Sequence, residues 1–236
     1  MGSANKVSGF LYERYSGVTT YFTLRQNNDA LLAENQRLHT QVLTYNTSLV
    51  RTDTSVYESL YSYQTAEVVK NSVSKENNII TINKGKKQGV RENMAVVSPD
   101  GAVGVTAKVS DNYCTVVSIL NKRMGVSAKL KDTEYFGSIV WTGYDYRYGL
   151  LNEIPNHVKI NKHDTIVTSG FSAIFPQGIL IGTVDSIQRV TEDNFYDIRI
   201  KLSVDFKNLR YVYIIENKDF NERTILEDAT KSEFGF

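Results

Sequence analysis

Ser169-Gly170, with His157, His163 and Asp164 shortly upstream, is where this sequence comes nearest to nucleophilic acyl-transfer chemistry. A serine hydroxyl attacks a carbonyl when a histidine in reach takes its proton, a carboxylate orients the imidazole, and backbone amides of a glycine-lined turn hold the oxyanion. Only fragments of that set are present. No glycine precedes Ser169 to form a nucleophile elbow, and the third histidine, His39, falls at an outward position of a helical pattern. Cys114 precedes both later histidines but is followed by Thr115 and lacks a Cys-Gly turn. No two histidines or cysteines stand at metal-ligand spacing. The "GKKQG" stretch ends in neither Gly-Lys-Ser nor Gly-Lys-Thr, so it makes no phosphate cradle. Its neighbours Lys84, Lys86, Lys87 and Arg91 carry no interleaved aromatics and are balanced by Glu92 and an acidic C-terminal stretch, which reads as a solvated turn and no nucleic-acid site. The expectation is a chain with no catalytic residue, no cofactor and no metal.

The elements that position these residues are short strands. Thr165 to Val184, "TIVTSGFSAIFPQGILIGTV", reads as strand, loop and strand, with Pro176-Gln177-Gly178 as the turn into the second strand. A shorter copy lies upstream: Met94 to Ser98, a Pro99-Asp100-Gly101 turn, then Ala102 to Val109. Aligned on Gly104 and Gly182, "GVTAKV" sits over "GTVDSI" and "VRENMAVVS" over "INKHDTIVT", a duplicated hairpin. Further strands are expected over Ala66 to Lys84, Thr115 to Leu120, Val126 to Leu130, Gly137 to Thr142, Phe195 to Val204 and Leu209 to Ile215, the signature of small all-β barrels. Gly85, Gly89, Gly104, Gly170, Pro176, Gly178 and Gly182 are the expected turn and close-approach positions. Tyr144, Tyr146 and Tyr148 alternate, so an extended chain would turn them to one face, either as a protein-binding surface or as a barrel-packing strand. Phe171 and Phe175, in the loop of the second hairpin, are further partner-binding candidates.

Upstream, the apolar pattern changes to sevens. Tyr21, Asn28, Asn35, Val42 and Leu49 occupy a positions, while Leu24, Leu31, Leu38 and Tyr45 occupy d. Leucine at d with asparagine at a fits a parallel homodimer in register, because the paired amides hydrogen-bond across the seam. The other reading is an amphipathic helix folded back on its own barrels. With 41% hydrophobic and 22% charged residues in 236, the chain can bury a core but is long for one compact β unit. A net charge of +1 gives no field for nucleic acid or acidic substrates, and one cysteine excludes an internal disulfide. No apolar run is long enough to span a membrane. Residues 1–4 read as an expression remnant, so a membrane connection would run only through an anchor upstream of this sequence.

The coil, "INKGKKQGVRENMAVVSPDGAVGVTAKVS" and "DTIVTSGFSAIFPQGILIGTVDSI" together resemble the bacterial rod shape-determining MreC family, in versions like those of the Bacteroidetes, over about residues 5 to 216. One departure is His163-Asp164, where the family usually has Gly-Asp. The resemblance implies a non-catalytic periplasmic scaffold of cell elongation, held in the inner membrane by one N-terminal helix. It further implies a mainly β fold, a coiled coil followed by two antiparallel β-barrels of chymotrypsin-like topology. The implied partners are the elongation-specific penicillin-binding transpeptidase, MreD and MreB. The expected division is a coil at 5–63, one barrel built from 66–87 and 158–216, an inserted barrel at 88–157, and a loosely held acidic tail at 217–236. A degenerate or active chymotrypsin-like peptidase is the alternative function.

Overall fold

A computed structural model of the chain describes residues 60–189 and 194–234, together with residues 34, 37 and 38. Twelve strands follow one another: β1 (Tyr61–Asn71), β2 (Asn77–Ile82), β3 (Ala95–Ser98), β4 (Gly101–Val109), β5 (Cys114–Asn121), β6 (Gly125–Leu130), β7 (Phe136–Val140), β8 (Tyr148–Pro155), β9 (Thr165–Thr168), β10 (Leu180–Arg189), β11 (Phe195–Leu202) and β12 (Tyr211–Asn217). A helix, α1 (Phe220–Phe234), ends the described chain.

These strands close into two antiparallel six-stranded barrels, one in the order β1-β12-β3-β4-β5-β2 and one in the order β10-β11-β8-β7-β6-β9. The alternation of side chains puts Ile80 and Ile82 of β2, Val116 of β5, and Ile198 and Ile200 of β11 inside, fully buried. One contiguous set of buried apolar residues runs through both barrels.

This partition corrects the expected one. Residues 88–121 do not belong to the inserted barrel: β3, β4 and β5 close the first barrel with β1 and β2. The inserted unit is β6 to β11, and from the C-terminal segment only β12 returns to the first barrel, pairing with β1 from Tyr61↔Asn217 to Glu67↔Tyr211 and with β3. The physical reason is closure. A six-stranded barrel has no free edge, and β2 completes its own through Ile79↔Val117 on β5, a non-local pairing that local pattern does not encode.

The duplicated hairpin recurs bond for bond. Asn93 N–H donates to the Thr106 carbonyl and Thr106 N–H to that of Met94; His163 N–H donates to the Val184 carbonyl and Val184 N–H to that of Asp164. Asn93 (φ 64°) and His163 (φ 73°) occupy the same left-handed turn, a conformation that asparagine and histidine adopt more readily than most residues with a Cβ. Gly104 and Gly182 are equivalent as well, each with its neighbouring strand too close for a Cβ.

The barrels meet where β4 packs on β10. Gly101 lies so close to the Leu180 carbonyl and to Ser203 Oγ that a Cβ would collide with both. Asn217 Nδ2 donates to the Ala173 carbonyl at 2.8 Å, tying β12 of the first barrel to the β9–β10 loop of the second.

The expected loose tail is in fact α1, a helix without a buried residue. Its composition allows this: it has no glycine or proline, and an i,i+4 pair Arg223–Glu227 at 2.8 Å and an i,i+3 pair Asp228–Lys231 at 3.7 Å support it. Of the expected coiled-coil seam, Tyr21, Leu24, Asn28, Leu31, Asn35, Val42 and Tyr45 lie outside the described residues. Leu38 is helical and exposed, one residue after Arg37, which pairs with Glu34 at 2.7 Å.

Candidate functional site

The acyl-transfer candidates do not converge. Ser169 is buried, its Oγ sharing a 2.7 Å hydrogen bond with Ser127 Oγ and accepting from Phe171 N–H at 3.2 Å. The Asp164 carboxylate accepts from Asn161 N–H at 2.8 Å and so caps its own turn, while the His157 ring meets Tyr135 edge-on at 5.7 Å. Cys114 is buried, and that burial pushes its thiol up to about 11, away from a reactive thiolate. Among the described residues no three His, Cys, Asp or Glu side chains gather where a metal could bind.

What the β9–β10 loop builds instead is a rigid platform. Thr168 Oγ1 donates to the Pro176 carbonyl at 2.5 Å and accepts from Ile179 N–H at 2.9 Å, and Gly178 N–H donates to the Thr168 carbonyl at 3.0 Å. Gly170 (φ 81°) and Gly178 (φ 90°) make the two left-handed corners that this loop requires. Phe175 is 4% exposed and plugs the core, so it is not a surface residue as expected. Phe171 is 55% exposed and stands edge-on to Phe136, itself 52% exposed, with ring centroids 4.6 Å apart. Arg223 of α1 donates to the Phe171 carbonyl at 2.7 Å, so helix and loop support the same pair. Phe136 was not singled out from the sequence; the apolar residue opening β7, one step before the Gly137 that lets β8 approach, was the available signal.

The three tyrosines do not form the expected one-sided row. Residues 141–147 turn before β8 begins, held by Trp141 Nε1–H to the Asp145 carbonyl (2.9 Å), by Gly143 at φ 93°, and by Arg147 gripping the Asp145 carboxylate. Hydrogen bonds from the Arg147 side chain hold the Asp145 carboxyl down at about 2. Tyr146 is half-buried, packed on the core with Lys207 Nζ 4.5 Å from its ring centre; Tyr148 is half-buried beneath the Arg199 guanidinium, 3.8 Å away. Tyr144 alone stands out, 94% exposed. A cleft of about 360 Å³ opens beside it, lined by Tyr148 and Leu150 of β8 and by Ser186, Gln188, Asp197 and Arg199 of β10 and β11, of which the sequence reading singles out only Tyr148.

Comparisons with known proteins agree with this architecture. The family model described as "Rod shape-determining protein MreC, barrel core" matches residues 68–216. The cell shape-determining protein MreC of Listeria monocytogenes is 29% identical over 177 residues, which cover 73% of this chain and 59% of that relative's length. Among solved structures, Listeria MreC superposes with a TM-score of 0.66 at 27% identity, covering 79% of this chain and 92% of that one. A complex between penicillin-binding protein PBP2 and MreC from Helicobacter pylori matches with a TM-score of 0.55 at 22% identity, covering 67% of this chain and 99% of that one, a likeness of fold. Two closed barrels sharing one core, built on a twice-used hairpin and matched by the family's barrel core across most of its strands, place the chain in the rod shape-determining protein MreC family.

Proposed function

We propose that this chain is the periplasmic part of a non-catalytic scaffold of cell elongation, anchored to the inner membrane in the full-length protein, that organises peptidoglycan-synthesising enzymes to maintain rod shape. The observation that carries this reading is an exposed aromatic pair, Phe136 and Phe171, braced by a loop, a strand and a helix at the junction of two barrels of this family. Aromatic side chains held rigid at a surface supply large contact area at little entropic cost, the character of binding hot spots. The Helicobacter pylori structure, a complex between penicillin-binding protein PBP2 and MreC, supports a penicillin-binding protein as the class of partner; in this reading an elongation-specific transpeptidase of that class docks on the aromatic pair. MreD and MreB belong to the same reading by way of the membrane anchor. A peptidase is disfavoured by the hydrogen-bonding of Ser169 to Ser127.

The test is the affinity of this chain for the periplasmic region of its cognate transpeptidase. Phe171→Asp combined with Phe136→Asp weakens binding about 100-fold, as losing a central aromatic pair does, with an unchanged circular dichroism spectrum. Unchanged affinity would overturn the assignment of this surface.

The N-terminal coil is proposed to hold two copies in parallel, with Tyr21, Leu24, Asn28, Leu31, Asn35, Leu38, Val42 and Tyr45 along the seam. Light scattering then reads a dimer that Leu31→Asp with Leu38→Asp converts into a folded monomer. A parent chain that is monomeric at roughly tens of micromolar would remove the dimer from this reading.

A further inference from the structure

We propose that the cleft beside Tyr144 on the second barrel binds an uncharged oligosaccharide, one pyranose ring stacking on Tyr144 and its hydroxyls bonding to Ser186, Gln188 and Asp197. Strand register brings these groups together. Arg199 of β11 lies between Leu150 of β8 and Ser186 of β10, and Asp197 lies opposite Gln188, so alternate residues of three adjacent strands point outward into one hollow. The cleft volume, about 360 Å³, falls within the ~300–1,000 Å³ of small-molecule sites.

The class of ligand follows from which groups are spoken for. Arg147 is committed to Asp145, and Arg199 lies over Tyr148 with its Nε 3.6 Å from Asp185. Asp197, Ser186 and Gln188 make no side-chain hydrogen bond or ion pair to another described residue. Among its lining residues Asp145 and Asp197 stand against Arg199, a net charge of −1 that the flanking Arg147 and Asp185 leave unchanged, and the cleft repels phosphates and carboxylates. A carboxylate, a primary amide and a hydroxyl side by side match the vicinal hydroxyls of a sugar, which donate to the carboxylate and exchange bonds with the amide. The aromatic ring completes the set. Tyr144 is not exposed through looseness, since the Trp141–Asp145 and Asp145–Arg147 bonds fix its loop, and a ring presented in water beside a polar hollow offers a flat apolar face to the C–H side of a pyranose.

The experiment is an NMR titration of this chain, amide-labelled, with N-acetylglucosamine tetramer, with cellotetraose and with inorganic phosphate. At least one sugar gives saturable shifts centred on residues 148–150, 186–188 and 197–199, with a Kd of about 0.1 to 1 mM as shallow polar sites give, and phosphate does not. Tyr144→Ala weakens that binding about tenfold with an unchanged melting temperature, and Asp197→Asn does the same through the lost carboxylate. Absence of saturation by both sugars at about 20 mM, shifts elsewhere on the protein, tighter binding of phosphate, or parental affinity in both variants would overturn the proposal. The cleft is separate from the Phe136–Phe171 pair, so loss of one activity leaves the other measurable.

Discussion

Gly182→Ala lowers the stability of this chain by about 3 kcal/mol or more, and Gly104→Ala does the same in the other barrel. At Gly182 an added Cβ would stand 2.2 Å from the Lys201 carbonyl oxygen and 2.9 Å from Ile200 Cγ2; at Gly104 it would stand 2.2 Å from that of Val117 and 2.9 Å from Val116 Cγ1. Both obstacles include the backbone of the adjacent strand, which cannot move without breaking the ladder that closes the barrel. The contrast is Gly178→Ala, where nothing lies within 4 Å of the new Cβ and only the left-handed φ of 90° is strained, a cost of about 1 kcal/mol. Urea unfolding of the three variants checks the order. If Gly182→Ala and Gly178→Ala cost the same, the close strand approach at Gly182 is not what requires glycine there.

Phe206→Ala costs about 3–5 kcal/mol, the range for truncating a buried aromatic. Phe206 is 1% exposed and opens the short 3-10 turn Phe206–Asn208, capped where the Asp205 carboxylate accepts from Lys207 N–H at 3.1 Å. That turn carries the chain from β11 of the second barrel back to β12 of the first, and the Phe206 carbonyl accepts from Asn71 Nδ2 at the end of β1. The side chain therefore pins the one crossing by which the first barrel receives its sixth strand. Calorimetry reads the effect as a lower melting temperature for the barrels. A loss under about 1 kcal/mol would mean that the site collapses around the smaller side chain and that β12 is held by its pairing alone.

Much of the fold was legible as local pattern. Alternating and β-branched runs located β3, β4, β5, β6, β9 and β12 to within a residue or two, since burial of one strand face dictates a period of two. The duplication was legible too, because Gly104 and Gly182 are required by the same close approach, and Asn93 and His163 by the same positive φ. The surface was less so. Phe171 and Phe175 are equally apolar and four residues apart, yet one is exposed and the other plugs the core, a difference set by where the loop crosses the barrel end. The tyrosine row failed because a turn at 141–147 replaced the extended chain that the alternation assumed, through a tryptophan, a glycine and an aspartate–arginine pair whose cooperation is three-dimensional. The helix α1 was missed because its residues lack an apolar face, the feature by which a packed helix is recognised.

By itself, then, the sequence determined most of the strands, though not β8, nor the first residues of β1, which it assigned to the coil, together with the repeated hairpin, its obligatory glycines and the family, all of which rest on residues close together in the chain. Only the tertiary structure decided that β12 belongs with β1, that the inserted barrel is β6 to β11, and that residues of β8, β10 and β11 share a cleft. The physical reason is that periodicity records which face of a strand is buried, whereas the choice of neighbour is settled by closing a barrel, where strands over a hundred residues apart satisfy one another's backbone bonds.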